Sequence, residues 1–180
     1  MPRLAALAAR IDRLIAAIGR AAMVLTLVIV LLQFAVVLLR YAFGIGPLWL
    51  SEGVIYAHAA MFMLAAAWTL QLGGHVRVDV FYARAPPRSR AIVDLLGALL
   101  LLMPFVGAIF YFALPYVARS WMILERSREA SGLPFVYLLK TLIPLFALLM
   151  GLAGLAQAIR AVLVLRRGAG AAVGAETEAR

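Results

Sequence analysis

The chain has no cysteine among its 180 residues, which excludes disulfides, thiolate metal sites and cysteine nucleophiles. Histidine is nearly as scarce. His58 and His75 are the whole supply, and both fall on one segment, so a pair of imidazoles converging on one iron from facing helices is not expected. Only 14% of the residues are charged and 66% are hydrophobic, a balance that cannot cover the surface of a water-soluble fold. What the chain has in quantity is uncharged sequence. Ala21 to Leu39, Gly53 to Gly74, Leu95 to Ala118 and Leu133 to Ile159 run for 19, 22, 24 and 27 residues, interrupted only by His58 and Lys140.

A helix needs roughly 20 apolar residues to cross a hydrocarbon layer about 30 Å thick. The four runs therefore predict an all-α integral membrane protein with four transmembrane helices, spanning about residues 21–39, 53–74, 95–118 and 133–159. Residues 1–167 form one four-span domain in this reading, and 168–180 read as a disordered tail.

The formal charge of +9 is spread between the hydrophobic runs, which argues against nucleic acid and for the headgroups of a lipid bilayer as its counterpart. Twelve arginines lie in the amino-terminal segment, the second loop and the tail. The opposite side holds Arg40, Arg119, Arg126 and Arg128, with Glu52, Glu125 and Glu129 to offset them. Positive loops stay inside, so both termini are expected in the cytoplasm. Nineteen apolar residues ending at Arg40, with no small-residue cleavage site, indicate an anchor that stays in place. Ahead of it, Leu4, Leu7, Ala8, Ile11, Leu14, Ile15 and Ile18 recur at helical spacing opposite four arginines. Either this stretch is an amphipathic interfacial helix along the inner leaflet, or it is the basic flank of the first span.

Local signals fix the expected ends. Gly44, Gly46 and Pro47 separate the first two spans, Ser51 is placed to cap the second helix with Glu52 in its first turn, and Gly73 and Gly74 end it. Asp94 is expected at the start of the third helix, and Pro134 at the first position of the fourth. Pro104, Pro115 and Pro144 predict kinks within the spans. Ala147 with Gly151, and Gly154 with Ala158, sit four apart and suit close helix packing, inside the bundle or against a second subunit.

Polar groups near mid-membrane are scarce, which speaks against a solute or ion pathway in this chain. Lys140 is read as snorkelling or forming an interfacial ion pair, and His58 as a hydrogen-bonded packing residue. Gln33 and Thr26 suit hydrogen bonds between helices. The remaining candidates are at the membrane boundaries: Arg40, Trp49 and Glu52 at one, His75, Arg77 and Asp79 at the other, arranged for docking and not for turnover.

Arg40-Tyr41-Ala42-Phe43-Gly44 after the first span, Trp49 to Glu52 opening the second and Gly74-His75-Val76-Arg77-Val78-Asp79 after it give the chain its likeness. In their order and placement it resembles the small membrane subunit, often called the Q subunit, of tripartite ATP-independent periplasmic (TRAP) transporters. Gly132-Leu133-Pro134 and Lys140 to Pro144 resemble one branch more loosely. Ser51 departs from the pattern, standing where members often carry a second acid. The resemblance implies an inner-membrane, non-enzymatic subunit with no cofactor of its own. Its partners would be a large, sodium-coupled, elevator-type membrane subunit that it scaffolds, and a periplasmic solute-binding receptor that delivers an organic acid. An independent homodimeric small carrier, motivated by the Ala147 and Gly151 face, is the competing reading.

Overall fold

A computed structural model describes residues 2–76, 82 and 84–178, with side chains described as far as Arg166. Among the described residues the only regular structure is helical: α1 (Pro2–Phe43), α2 (Leu48–Gln71), α3 (Pro87–Leu96), a π-helical segment (Gly97–Leu102), α4 (Met103–Met122) and α5 (Val136–Glu178). Four helical stretches are long and apolar enough to cross a membrane: Pro2–Phe43, Leu48–Gln71, Pro87–Met122 and Val136–Arg166. An even number of crossings brings both termini to one end of the bundle.

The amino-terminal stretch is no separate helix. α1 is continuous over 42 residues, about 63 Å at 1.5 Å per residue. Its first half is fastened to the bundle by Ala8, Ile11, Ile15, Gly19 and Ala22, all buried. Arg3, Arg10, Arg13 and Arg20 stay exposed. The apolar periodicity that suggested a leaflet-bound helix is therefore used against protein.

α5 organises the fold. Within its most apolar window 44% of the residues are buried, against 11% in each of the other three spans. Ala147, Leu149, Met150, Ala153 and Ala156 of α5 form the core with Ala8, Ile11 and Ile15 of α1, Ala67 of α2 and Val106 of α4. The small residues work here by allowing close approach. Ala147, Gly154 and Ala158 are buried, and a Cβ added to Gly154 would stand 2.6 Å from Leu102 Cδ2. Gly19 does the same where α1 crosses α2, since a Cβ there would lie 2.6 Å from Cβ, Cγ and Cδ2 of Trp68.

Several expected ends move. α2 begins at Leu48, with Pro47 at its N-cap (φ −68°) and its carbonyl receiving the Leu50 N–H at 3.2 Å, so Ser51 is inside the helix and caps nothing. α5 begins at Val136, two residues after Pro134, with the Phe135 carbonyl accepting from Leu138 and Leu139. The third span starts at Pro87, which leaves Asp94 a full seven residues inside α3. Gly73 and Gly74 do terminate α2: Gly73 is left-handed (φ 69°), its N–H reaches Leu70 O, and the Gly74 N–H reaches Thr69 O at 2.9 Å.

The helix runs on through Pro115 and Pro144. The adjustment for Pro104 lies before it, where the Met103 N–H donates to Ala98 O five residues back and the wider turn absorbs the missing proline amide. The α5 backbone is helical to Glu178, where the sequence predicted a disordered tail; the side chains of that stretch lie outside the described residues.

Candidate functional site

The polar chemistry gathers at the two ends of the bundle. At the end away from the termini, Glu52 reaches out of α2 to residues 75 and 81 positions later: Ser127 Oγ donates to its Oε1 at 2.5 Å, and the Leu133 N–H to its Oε2 at 2.6 Å. One carboxylate thus closes loop 123–135 over the helix end, and Gly132 packs so tightly against it that an added Cβ would meet Oε1 at 2.8 Å. Glu52 is committed within its own chain.

Beside it, Lys140 Nζ donates to Glu125 Oε2 at 2.5 Å and stands 4.1 Å from the centroid of the Tyr116 ring. This is the interfacial ion pair expected of Lys140. The Lys140 hydrogen bond holds the Glu125 carboxyl below its ordinary range. Backbone geometry aims Glu125 there: Leu124 is left-handed (φ 45°), and the N–H groups of Leu124 and Glu125 close the end of α4 on Trp121 O and Ser120 O. Trp121 Nε1 donates to Thr141 Oγ1 at 2.9 Å, a second tie between α4 and α5.

Arg40 and Trp49, the other two candidates at this end, are exposed. No hydrogen bond or ion pair engages Arg40 among the described residues.

At the end carrying the termini, Arg160 Nη1 donates to both carboxylate oxygens of Asp12, at 2.8 and 2.7 Å, and Gln71 Nε2 donates to the Asp12 backbone carbonyl at 3.2 Å. Three helices meet on one residue. Tyr82 OH donates to Asp94 Oδ2 at 2.8 Å, so Asp94 binds the loop instead of a helix terminus. His75 is exposed and lines grooves against both α1 and α3. Arg77 and Asp79 lie outside the described residues.

Asp12, Arg160 and Gln71 were not singled out by sequence reasoning. The available signal was that Asp12 is the only acid in the first 51 residues, surrounded by arginines.

Between the ends the interior is apolar. An open groove of about 370 Å³ between α4 and α5 is lined by residues such as Val106, Gly107, Phe110, Ala147, Gly151 and Leu155. His58 is exposed and makes no side-chain hydrogen bond among the described residues, so the packing role expected of it is not met within this chain. Thr26 Oγ1 donates to Met61 Sδ at 3.3 Å, as its expected role between helices requires.

The model of one family, tripartite ATP-independent periplasmic transporters, DctQ component, matches residues 29–164. The chain belongs to the DctQ family. It is accordingly a small, non-enzymatic inner-membrane component of a TRAP transporter, a tripartite system that also has a large membrane component and a periplasmic binding component. The match begins within α1, leaving out its first 27 residues, and runs through α2, α3 and α4 to residue 164 of α5. No curated protein and no solved structure matches the chain.

Proposed function

We propose that this DctQ subunit is a non-catalytic buttress for the large membrane subunit, which carries an organic acid, received from the periplasmic receptor, inward with sodium as an elevator. The observation that carries the reading is where the ion pairs lie. Among the described residues there are two, Asp12–Arg160 outside the uncharged runs and Glu125–Lys140 less than two turns inside the last of them, and they tie α1 and loop 123–135 to α5. A solute or ion path calls for polar groups near mid-membrane, whereas this core is built of Ala, Ile, Leu, Val and Met.

Such a bundle is suited to being a rigid body against which a moving domain slides. Both termini face the cytoplasm in this reading, by the excess of arginine at their end. Arg40 and Trp49 are exposed at the outer end and His75 at the inner, free to meet the large subunit, with Arg77 and Asp79 assigned to the same inner contact. Glu52 supports that surface from behind by holding loop 123–135.

Proteoliposomes test the reading. The chain alone is expected to accumulate no organic acid, and the large subunit with receptor and a sodium gradient to need this chain for full uptake. Uptake by this chain alone would make it an independent carrier.

A further inference from the structure

We infer that the outward face of the α1–α2 pair is the seat of a transmembrane helix of the large subunit, hydrogen-bonded to Gln33 and His58; this rests on the function proposed above. α1 and α2 leave a groove of about 280 Å³ lined by Met23 and Thr26 on one side and by Phe62, Ala65 and Thr69 on the other, with His75 at its mouth. Gln33 and Arg40 follow Thr26 at successive seven-residue steps, and His58 precedes Ala65 by seven, so each continues its own wall of the groove. One face thus joins two boundary residues, His75 and Arg40, through two polar side chains at hydrocarbon depth.

The two threonines on this face have partners at hand, Met61 Sδ and the Ala65 carbonyl. Gln33 and His58 are exposed and have none among the described residues. His58 is ten residues from the start of α2, and Gln33 seven from Arg40, about 15 and 10 Å along their helices. Acyl chains offer an amide or imidazole nothing to bond, so burial against lipid is costly and burial against a polar side chain of another helix is not. A second copy fits poorly. Two-fold symmetry about the bilayer normal would bring Arg40 toward its own mate in a chain already carrying +9.

Photocrosslinking in the assembled transporter tests the assignment. A photoreactive residue installed in place of Gln33, or separately of His58, is expected to form an adduct with the large subunit. The double variant Gln33→Leu/His58→Leu is expected to retain at least threefold less large subunit on co-purification. Adducts only with lipid or with a second copy, or undiminished co-purification, would overturn the assignment while leaving the buttress function standing. If the unsubstituted chain does not co-purify with a large subunit at all, the function itself fails.

Discussion

Arg160 grips both carboxylate oxygens of Asp12 across 148 residues of sequence, fastening the last helix to the first. The pair is partly solvated, with 42% and 25% of the two side chains exposed, so its strength is modest. We expect Asp12→Asn or Arg160→Gln to cost about 0.2–1 kcal/mol, and the double variant little more than either single one. Thermal unfolding in detergent, run as a double-mutant cycle, measures the coupling. Additive losses would show that the two side chains act independently.

Glu52 acts on loop 123–135 and not on its own helix terminus. Glu52→Ala removes the acceptor for Ser127 and the Leu133 N–H together, and several-fold faster trypsin cleavage at Arg126 and Arg128 should follow. Timed proteolysis with mass mapping reads this out, and an unchanged cleavage rate would mean the loop holds without the carboxylate.

Gly19 lets Trp68 close the α1–α2 crossing. Gly19→Leu is expected to destabilise the bundle by about 1–3 kcal/mol through overpacking. Adding Trp68→Ala to that variant should recover part of the loss. Unfolding midpoints of the parent and the two variants decide it, and a silent Gly19→Leu would mean the helices can separate freely.

Acid should loosen the end that holds Glu125. Its carboxyl titrates lower in the folded chain than in the unfolded one. The stabilisation is therefore complete above the ordinary carboxylate value of about 4.3 and is lost as pH falls through the lowered one. Lys140→Met should abolish that part of the pH dependence, so unfolding midpoints of parent and variant are expected to differ at neutral pH and to converge only as pH falls below the lowered Glu125 value. A constant difference across this range would assign the role of Lys140 to packing on Tyr116.

Much of the architecture was legible because a bilayer imposes a length criterion that a sequence either meets or fails. The Lys140 ion pair was legible too, since a lone cation less than two turns inside an apolar run must find the interface or a partner. Ser51, Pro134 and Asp94 misled in one way: each carries a valid local capping preference, but the helices began where Pro47, Phe135 and Pro87 let the backbone turn. His58 misled otherwise, because a single helix does not reveal which of its faces a neighbour will cover.

The sequence by itself determined that this chain enters a membrane, how many times it crosses and which end collects the arginines, since these follow from transfer free energies and charge summed along a segment. Tertiary structure alone decided that α1 runs unbroken into the bundle, that α5 is its centre, and that Glu52 and Asp12 serve residues far along the chain. Those outcomes depend on which helix faces meet across long separations, and no local pattern of residues carries that information.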